Sequence, residues 1–403
     1  MSLQIPKPLN DSVRLPEPAL LSDQLISQLR VDALALGFSS IGVTNLDVSQ
    51  ASKGLKAWLA QGFHGSMDYM ARHEMLRSEP GRLVEGAVTA IMVTMPYTPS
   101  DAEGATDATD WLAHSWQTIA TPDQAYVARY ALGRDYHKVV RGALAALAQK
   151  TEERLANFGY RVFCDSAPVM EVELARKANL GWRGKHTLLL SREQGSMFFI
   201  GTIYTTVPLS PEATVDNVPT PNGQHCGSCQ RCIEVCPTQA IVAPYQLDAR
   251  KCISYLTIEN KNSIPVEYRR AIGNRIYGCD DCQLVCPWNK YAQAAASADF
   301  SVRNDLDTAS LLTLFSWTQE EFETRVAGSA IYRIGYWRWL RNIAVGLGNA
   351  LYEQRKAMGN SDGAQGNVDI AELTQVLLMR KASCDAAIEE QAMLLEHIDW
   401  ALS

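Results

Sequence analysis

Eight of the ten cysteines in this 403-residue chain lie within the 61 residues from Cys226 to Cys286. The first run reads C-x-x-C-x-x-C-x-x-x-C-P and ends at Pro237. In ferredoxins this spacing binds a [4Fe-4S] cluster through its first three thiolates and gives the fourth thiolate to a second cluster. The residue types and their spacing therefore predict iron–sulfur chemistry, with electrons delivered one at a time.

The second cysteine run, Cys279-x-x-Cys282-x-x-x-Cys286, is one thiolate short of the same pattern. It supplies two near ligands and one ligand for the other cluster, so a third near ligand must come from elsewhere. Cys252 is the only candidate in the region. The count then closes on two [4Fe-4S] sites, each with four thiolates. The first is Cys226, Cys229, Cys232 and Cys286, and the second is Cys236, Cys252, Cys279 and Cys282.

Two other uses of these cysteines stay open at this point. Paired C-x-x-C units also form zinc sites with four cysteines, although a third cysteine after each pair would then be unused. Disulfides are the second alternative, but many closely spaced cysteines beside a large core favour a reducing compartment. The remaining two, Cys164 and Cys384, are expected to be buried, small apolar residues.

The bulk composition is that of a soluble globular protein. A hydrophobic content of 47% over this length gives enough surface to bury for two or three domains. The stretch up to Pro18 lacks the apolar centre of a secretory signal, and no later run is long enough to span a membrane. We therefore expect a cytoplasmic protein without a membrane partner. The net charge of −7 argues against non-specific wrapping of nucleic acid but permits a local basic patch.

The order of hydrophobic patterns predicts the α+β class with three domains. Residues 1–215 form an α/β domain, 216–300 a ferredoxin-like domain with two clusters, and 301–403 an α-helical domain of the HEAT-like repeat type. In the first domain, strands are predicted over 41–43, 90–95 and 161–164. Apolar runs at 187–190 and 197–202 predict a hairpin. Residues 99–124 are interpreted as a surface insertion with little function, and 208–223 as a linker.

Several longer motifs resemble the epoxyqueuosine reductase family, and the resemblance covers nearly the whole chain from about residue 22. The motifs are Arg129-Tyr-Ala-Leu-Gly-Arg-Asp-Tyr-His-Lys138, Asp165-Ser-Ala-Pro168, Gly181-Trp-Arg-Gly-Lys-His186, Cys252-Ile-Ser-Tyr-Leu-Thr-Ile-Glu259, Gly278-Cys-Asp-Asp-Cys-Gln-Leu-Val-Cys-Pro-Trp-Asn289 and Arg338-Trp-Leu-Arg-Asn-Ile-Ala344. The ferredoxin spacing alone would not distinguish this family from others.

The resemblance implies a cobalamin-dependent oxidoreductase that converts epoxyqueuosine in tRNA to queuosine. It also implies that the N-terminal domain binds the cobalamin and that the helical domain docks the tRNA. A flavodoxin or ferredoxin is the expected electron donor, and the chain is expected to be a monomer. Two alternatives are kept: a reductive dehalogenase acting on a small molecule, and a plain electron-transfer ferredoxin module, which would leave the first 210 residues without a role.

The resemblance assigns Asp165 as the proton donor; the alternative for this residue is a helix N-cap before Ser-Ala-Pro. Donation near neutral pH requires a protonated carboxyl, and apolar neighbours such as Val162 and Phe163 are expected to raise its pKa. The predicted cobalamin contacts are Arg72, Asp165, Ser254, Cys279 and Asp280.

His137 follows Asp135 as in the Asp-x-His-x-x-Gly motif that ligates cobalt in some cobalamin enzymes, but Val140 stands at the position of the glycine. We therefore do not assign His137 as a cobalt ligand.

A basic and aromatic segment lies in the C-terminal third. Residues 332–341 hold three arginines, Arg333, Arg338 and Arg341, together with four aromatic residues. Such a composition suits phosphate contact and base stacking. We expect the arginines to face tRNA and at least one tryptophan to be structural.

Overall fold

The computed structural model describes residues 20–98, 110–155, 157–213, 221–359 and 370–403. None of the helices in these ranges is long and apolar enough to cross a lipid bilayer. The α-helices are α1 (Asp23–Ala35), α2 (Ser49–Ala60), α3 (Asp68–Arg72), α4 (Glu74–Ser78), α5 (Pro80–Leu83), α6 (Asp110–Ala120), α7 (Tyr136–Glu152), α8 (Glu171–Lys177), α9 (Arg231–Glu234), α10 (Val266–Ile272), α11 (Asp281–Leu284), α12 (Leu311–Ser316), α13 (Gln319–Arg325), α14 (Gly335–Gly359), α15 (Ile370–Ala382) and α16 (Glu389–Leu402).

The strands are mostly short. They are β1 (Ser40–Asn45), β2 (Thr89–Pro96), β3 (Tyr126–Val127), β4 (Tyr160–Phe163), β5 (Trp182–Arg183), β6 (Leu189–Leu190), β7 (Phe198–Thr205), β8 (Ile241–Ala243), β9 (Gln246–Leu247) and β10 (Arg275–Tyr277). The predicted strands at 41–43, 90–95 and 161–164 correspond to β1, β2 and β4.

The main sheet has the order β1-β2-β7-β4, with antiparallel neighbours throughout. Every residue of β2 is buried because both faces of the sheet are covered. Ile91 and Val93 pack with Leu144 of α7 on one face, and on the other face Ala90 and Met92 join the core cluster of α8. Alternate residues of one apolar strand thus enter two different cores.

The predicted hairpin between 187–190 and 197–202 is wrong. β6 pairs with β5, whereas β7 pairs with β2 and β4. β6 and β7 are neighbours in the sequence, which suggested that they pair. β7 is instead an eight-residue, largely buried strand, and its backbone hydrogen bonds go to β2 and β4, which are both longer than the two-residue β6. The interpretation of 99–124 as a surface insertion is also wrong for its described part, residues 110–124. Trp111 of α6 is buried, and the Arg129 guanidinium lies 5.1 Å from its ring centre. The stretch 99–109 lies outside the described residues.

The cysteine-rich segment is joined to the first domain by backbone pairing. β10 runs parallel to β3, with Arg275 opposite Tyr126. The Asn274 side chain extends this join, because its amide donates to the carbonyls of Thr118, Thr121 and Gln124 at 2.7–3.0 Å. One hydrophobic core runs from α1 through the sheet to α16.

The predicted domain bounds remain predictions, and the bound between 215 and 216 lies outside the described residues. The described part of 308–403 is helical, as predicted, while its assignment to the HEAT type also remains a prediction.

Arg341 ties the long helix α14 to the segment that carries Cys252, so its predicted role in tRNA contact is wrong. The side chain is fully buried. Its guanidinium donates to the carbonyls of Leu256 and Asn260 at 2.9 Å, at the two ends of a π-helical turn over Tyr255–Glu259. Burial lowers the pKa of Arg341 to about 9. The alternation of arginine with aromatic residues did not reveal that this position of the helix faces inward.

Arg338 is half-buried and is also largely occupied, since it donates to the carbonyls of Ile258 and Arg333 at 3.0 Å and to that of Ile334. Arg333 is exposed. Trp339 is fully buried, which confirms the expectation of a structural tryptophan.

Arg341→Ala should destabilise the fold. The change leaves several buried carbonyls without a donor, so we expect a loss of about 2–4 kcal/mol in the free energy of unfolding. Denaturant unfolding of the cluster-containing protein measures this. Arg333→Ala is the matched control, because an exposed ion pair contributes about 0–1 kcal/mol. Equal stability of the two variants would contradict the structural role of Arg341.

Candidate active site and cluster-binding cysteines

The first group of cysteines surrounds a loop near the surface. The loop is folded by bonds from the Cys226 amide to Gly223 and from the Cys229 amide to Cys226. Burial, and then the charges of Cys226 and Cys229, raise the pKa of the Cys232 thiol. Burial also raises the pKa of Cys286 to about 11, with a further contribution from the other three. Cys286 therefore joins the first run, although it lies 50 residues after Cys236.

The second group consists of Cys236, Cys252, Cys279 and Cys282, all of which line one cavity. Burial, followed by the charges of Cys252 and Cys236, raises the pKa of Cys282 well above its ordinary value. The pKa of Cys279 is likewise raised, first by burial, then by Asp281 and Cys282. Cys252 is brought to this group by a short helical turn over Ala249–Lys251.

The structure thus brings together the same two groups of four that the count predicted, and four thiols each suit a [4Fe-4S] cluster. In the described part of the chain, no three metal-ligating side chains approach as closely as a single metal ion requires. The structure therefore shows which cysteines lie near one another, and the assignment of each cysteine as a cluster ligand stays a prediction. Of the other two, Cys164 is buried, as expected, and Cys384 is partly buried.

A cavity of about 540 Å³ lies between the main sheet and the second cysteine group. Asp165, Ser254, Cys279 and Asp280, four of the predicted cobalamin contacts, line it. Apolar residues such as Phe198 make up much of the rest of the wall. A mostly apolar wall with a few polar groups is typical of a pocket that binds a small molecule or cofactor.

Arg72, the fifth predicted contact, is exposed at the end of α3 and is not part of the cavity wall. Five residues later Arg77 is buried, donates to the Tyr69 carbonyl at 3.2 Å and is close enough to Glu171 for the two charges to interact. Arg72 and Arg77 are close together in the sequence, and only the structure shows that the first is exposed and the second is buried.

Asp280 is buried beside the second cysteine group. Its Oδ2 accepts hydrogen bonds from the Tyr126 hydroxyl at 2.8 Å and from the Arg129 amide at 2.7 Å. Burial raises the pKa of this carboxyl. These bonds fix the loop of Cys279 against the first domain.

Asp165 lies just after β4 and lines the cavity, and its side chain is 61% exposed. It is not a helix cap, because α8 begins at Glu171 with Met170 as its N-cap residue. The Tyr136 hydroxyl donates to its Oδ2, and His137 Nε2 lies 3.5 Å from the same oxygen.

These neighbours overturn the expectation of a protonated Asp165. Burial by itself raises its pKa, but the hydrogen bonds from His137 and Tyr136 and the charge of His137 outweigh burial. The pKa of Asp165 lies below its ordinary value, and the carboxyl is ionised at neutral pH. The apolar residues on either side in the sequence were a poor guide, because the deciding groups are 28 and 29 residues earlier.

His137 is the functional residue that the sequence reasoning left without a role. Its Nδ1 lies 2.8 Å from Asp135 Oδ1, so carboxylates contact both ring nitrogens. Burial lowers its pKa, but hydrogen bonds to Asp165 and Asp135 outweigh this effect and raise the pKa above its ordinary value. The two carboxylates therefore favour the protonated form of His137 beside Asp165. The signal was present in the Asp135-Tyr-His sequence, interpreted there only as a departure from a cobalt-binding motif.

Arg333 lies at the cavity wall, and its guanidinium donates to Glu259 at 2.7 Å. Its neighbour Tyr332 is 51% exposed. Of the three predicted tRNA contacts, Arg333 is thus the exposed one beside the cavity.

Comparison with known proteins agrees with this arrangement. A family model described as a 4Fe-4S double cluster binding domain matches residues 225–289, and one described as epoxyqueuosine reductase QueG, DUF1730, matches residues 77–166. The first match and the two cysteine groups define an iron–sulfur protein of the two-cluster class. The epoxyqueuosine reductase of Burkholderia pseudomallei is 52% identical, over 96% of this chain and 94% of its own length. That of Escherichia coli is 44% identical, over 94% of this chain and 89% of its own length.

The chain belongs to the epoxyqueuosine reductase family, whose members are oxidoreductases. Two solved structures show the same fold. One is an epoxyqueuosine reductase with a tRNA-Tyr stem loop modified with epoxyqueuosine, with a TM-score of 0.70 and 24% identity, covering 94% of this chain and 99% of that one. The other, from Bacillus subtilis, has its catalytic aspartate loop swung out of the active site, with a TM-score of 0.69 and 23% identity over 94% and 98%.

Cys252→Ala should remove the second cluster and leave the first. If each group holds four irons, the variant should contain about four irons per chain in place of about eight. Iron and sulfide analysis of anaerobically purified protein measures this. Cys384→Ala, outside both groups, is the control and should keep the full content. Retention of all irons in Cys252→Ala, with an unchanged spectrum, would refute the ligand assignment.

Proposed function

We propose that the chain reduces epoxyqueuosine in tRNA to queuosine. The observation that carries the proposal is one cavity with Asp165 on one wall and the second cysteine group on the other. The reaction removes the epoxide oxygen: two electrons and two protons convert the epoxide to a carbon–carbon double bond and one molecule of water. The site therefore needs an electron route and a proton source that meet at the substrate.

The eight cysteines would hold the two [4Fe-4S] clusters, which supply electrons one at a time. The first group lies near the surface and the second at the cavity, so the electron route would run inward from the loop of Cys226. Cobalamin, when bound in the cavity, would supply low-potential reducing chemistry for the epoxide. Ser254, Cys279 and Asp280 would contact it, without any assignment of His137 as a cobalt ligand.

Asp165 and His137 would supply the first of the two protons, and the second would come from solvent. In the resting site the carboxylate of Asp165 accepts a hydrogen bond from the Tyr136 hydroxyl, and His137 Nε2 lies 3.5 Å from the same oxygen. Negative charge that develops on the departing oxygen would draw the proton of His137 through Asp165 to that oxygen. Asp165 remains the group that contacts the substrate, and His137 is the reservoir. The catalytic aspartate loop named for the Bacillus subtilis structure supports a similar role for the loop of Asp165.

The modified base would enter the cavity beside Arg333, with Tyr332 available for stacking. The related structure with a tRNA stem loop supports this partner. A low-potential electron donor such as a flavodoxin or ferredoxin, a monomeric state and a cytoplasmic location complete the proposal. Ten unpaired cysteines in the described residues suit the reducing cytoplasm. The alternatives of a dehalogenase and an electron carrier are less well supported, because relatives named epoxyqueuosine reductase match 96% and 94% of the chain.

Asp165→Asn should lose turnover and keep binding. Asparagine preserves the shape but cannot relay a proton, and a positioned acid contributes about 10²–10⁴-fold. Single-turnover reduction of epoxyqueuosine-containing tRNA, normalised to bound cobalamin, measures the loss. Cluster content and tRNA affinity are the controls. A rate near that of the wild type would remove Asp165 from the mechanism.

His137 should set the alkaline limit of the reaction. Its raised pKa means that the protonated form is present at low pH and is lost as the pH rises through that pKa. We expect the single-turnover rate to fall over this interval in the wild type, and His137→Asn to be slower and without this limb. A variant whose pH profile matched the wild type would show that the proton comes from another group.

A further inference from the structure

Glu171 is a second carboxyl in the wall of the same cavity, and the reaction described above does not use it. It is the first residue of α8. Its Oε1 accepts a hydrogen bond from the backbone amide of Asp165 at 3.1 Å. The side chain of one helix thus holds the backbone of the residue that is proposed to meet the substrate.

The backbone of Asp165 needs such support. Its φ is +58°, in the left-handed region that residues other than glycine adopt only uncommonly. The neighbouring backbone bonds are local, from the Ser166 amide to Cys164 and from the Val169 amide to Ala167. They fold the loop but do not attach it to another element. The bond to Glu171 attaches the loop to the first turn of α8.

We propose that Glu171 is a positioning residue, whose carboxyl holds the Asp165 loop in the conformation that brings the Asp165 carboxylate to Tyr136 and His137. The expected effect on turnover rests on the proposed function, whereas the hydrogen bond between Glu171 and the Asp165 amide does not depend on it. Asp165 then has two kinds of restraint. Its side chain is held by α7, through Tyr136 and His137, and its backbone is held by α8.

The charge of Glu171 suits this task. Burial, and then the negative charge of Asp165, raise its pKa to about 8, and Arg77 of α4 opposes this rise. Tyr204 of β7 and Cys164 also face it, and both have raised pKa values, so they are neutral. A neutral Glu171 can accept the amide bond without placing a second negative charge beside the Asp165 carboxylate.

The sign of the pH effect follows from the raised pKa. If the loop leaves, Glu171 loses both the repulsion from the Asp165 carboxylate, which raises its pKa, and the hydrogen bond from the Asp165 amide, which lowers it. The repulsion is the larger of the two, so the pKa of Glu171 falls and its ionised form becomes more stable in the open loop. The ionised form therefore favours the open loop, and the closed loop weakens as the pH rises toward about 8. Above that pH, Glu171 is ionised in both states, and the effect reaches a constant value.

Two substitutions separate the hydrogen bond from the charge. Glu171→Leu removes the acceptor, and we expect the single-turnover rate to fall about 10- to 100-fold, because small misplacements of a reacting group have effects of this size. Glu171→Gln keeps an acceptor oxygen and should remain within about threefold of the wild type at neutral pH. Glu173→Gln, in the same turn of α8 and bonded to Arg176, is the matched control and should not change the rate.

The ratio of the wild-type rate to the Glu171→Gln rate gives the pH test. The contribution of His137 is common to both proteins and cancels in the ratio. We expect the ratio to fall as the pH rises toward about 8. A ratio that does not change with pH, or a Gln variant as slow as the Leu variant, would overturn the proposal.

A readout without turnover uses hydrogen exchange of the cluster-containing protein, followed in peptides that cover residues 160–170. Exchange should be faster in Glu171→Leu and unchanged in Glu171→Gln and Glu173→Gln. Unchanged exchange in the Leu variant would refute the positioning role, even if Asp165→Asn were inactive. Conversely, an active Asp165→Asn variant would refute the proposed mechanism without affecting this result. If the Leu variant does not fold, the pH ratio alone decides.

Discussion

The structure depends on one constraint: the last cysteine of each run lies with the cysteines of the other run. Cys286 belongs to the group of the first run, and Cys236 belongs to the group of the second. Neither group can reach four members unless the loop at 226–236 and the loop at 279–286 lie side by side. The contact between α9 and α11, which carry Cys232 and Cys282, follows from that requirement.

The rest of the molecule holds this crossed pair against the cavity. Cys252 must reach the second group from outside both runs, and Arg341 and Asn342 of α14 secure the turn that follows it by binding its carbonyls. Asp280 is bound by Tyr126 and by the Arg129 amide, so the loop of Cys279 cannot move independently of the first domain. The distance between the thiols and Asp165 is thus set by rigid contacts on both sides.

Spacing and periodicity predicted those features that depend on local sequence. The two groups of cysteines came from counting ligands, and the strands β1, β2 and β4 came from short apolar runs closed by turn residues. The pairing of β7 could not be predicted in this way, because its partners β2 and β4 are distant in the sequence and offer more backbone hydrogen bonds than the neighbouring two-residue β6. The prediction for Arg341 failed for a similar reason. A helix presents an arginine to solvent or to buried carbonyls according to what packs against it, and these carbonyls come from residues 81 and 85 positions earlier.

The protonation states of the two carboxyl groups in the cavity could not be predicted from local sequence either. Asp165 and Glu171 are six residues apart, lie in one cavity and are both subject to desolvation, which acts on each in the same direction. They differ because α7 supplies Asp165 with a hydroxyl and an imidazole, whereas Glu171 faces the charge of Asp165 itself. Ionising one carboxyl therefore opposes ionising the other. The site thus keeps an anion that can accept the proton of His137 beside a neutral acid that can hold its backbone, and this division of roles arises from tertiary contacts rather than from the sequence around either residue.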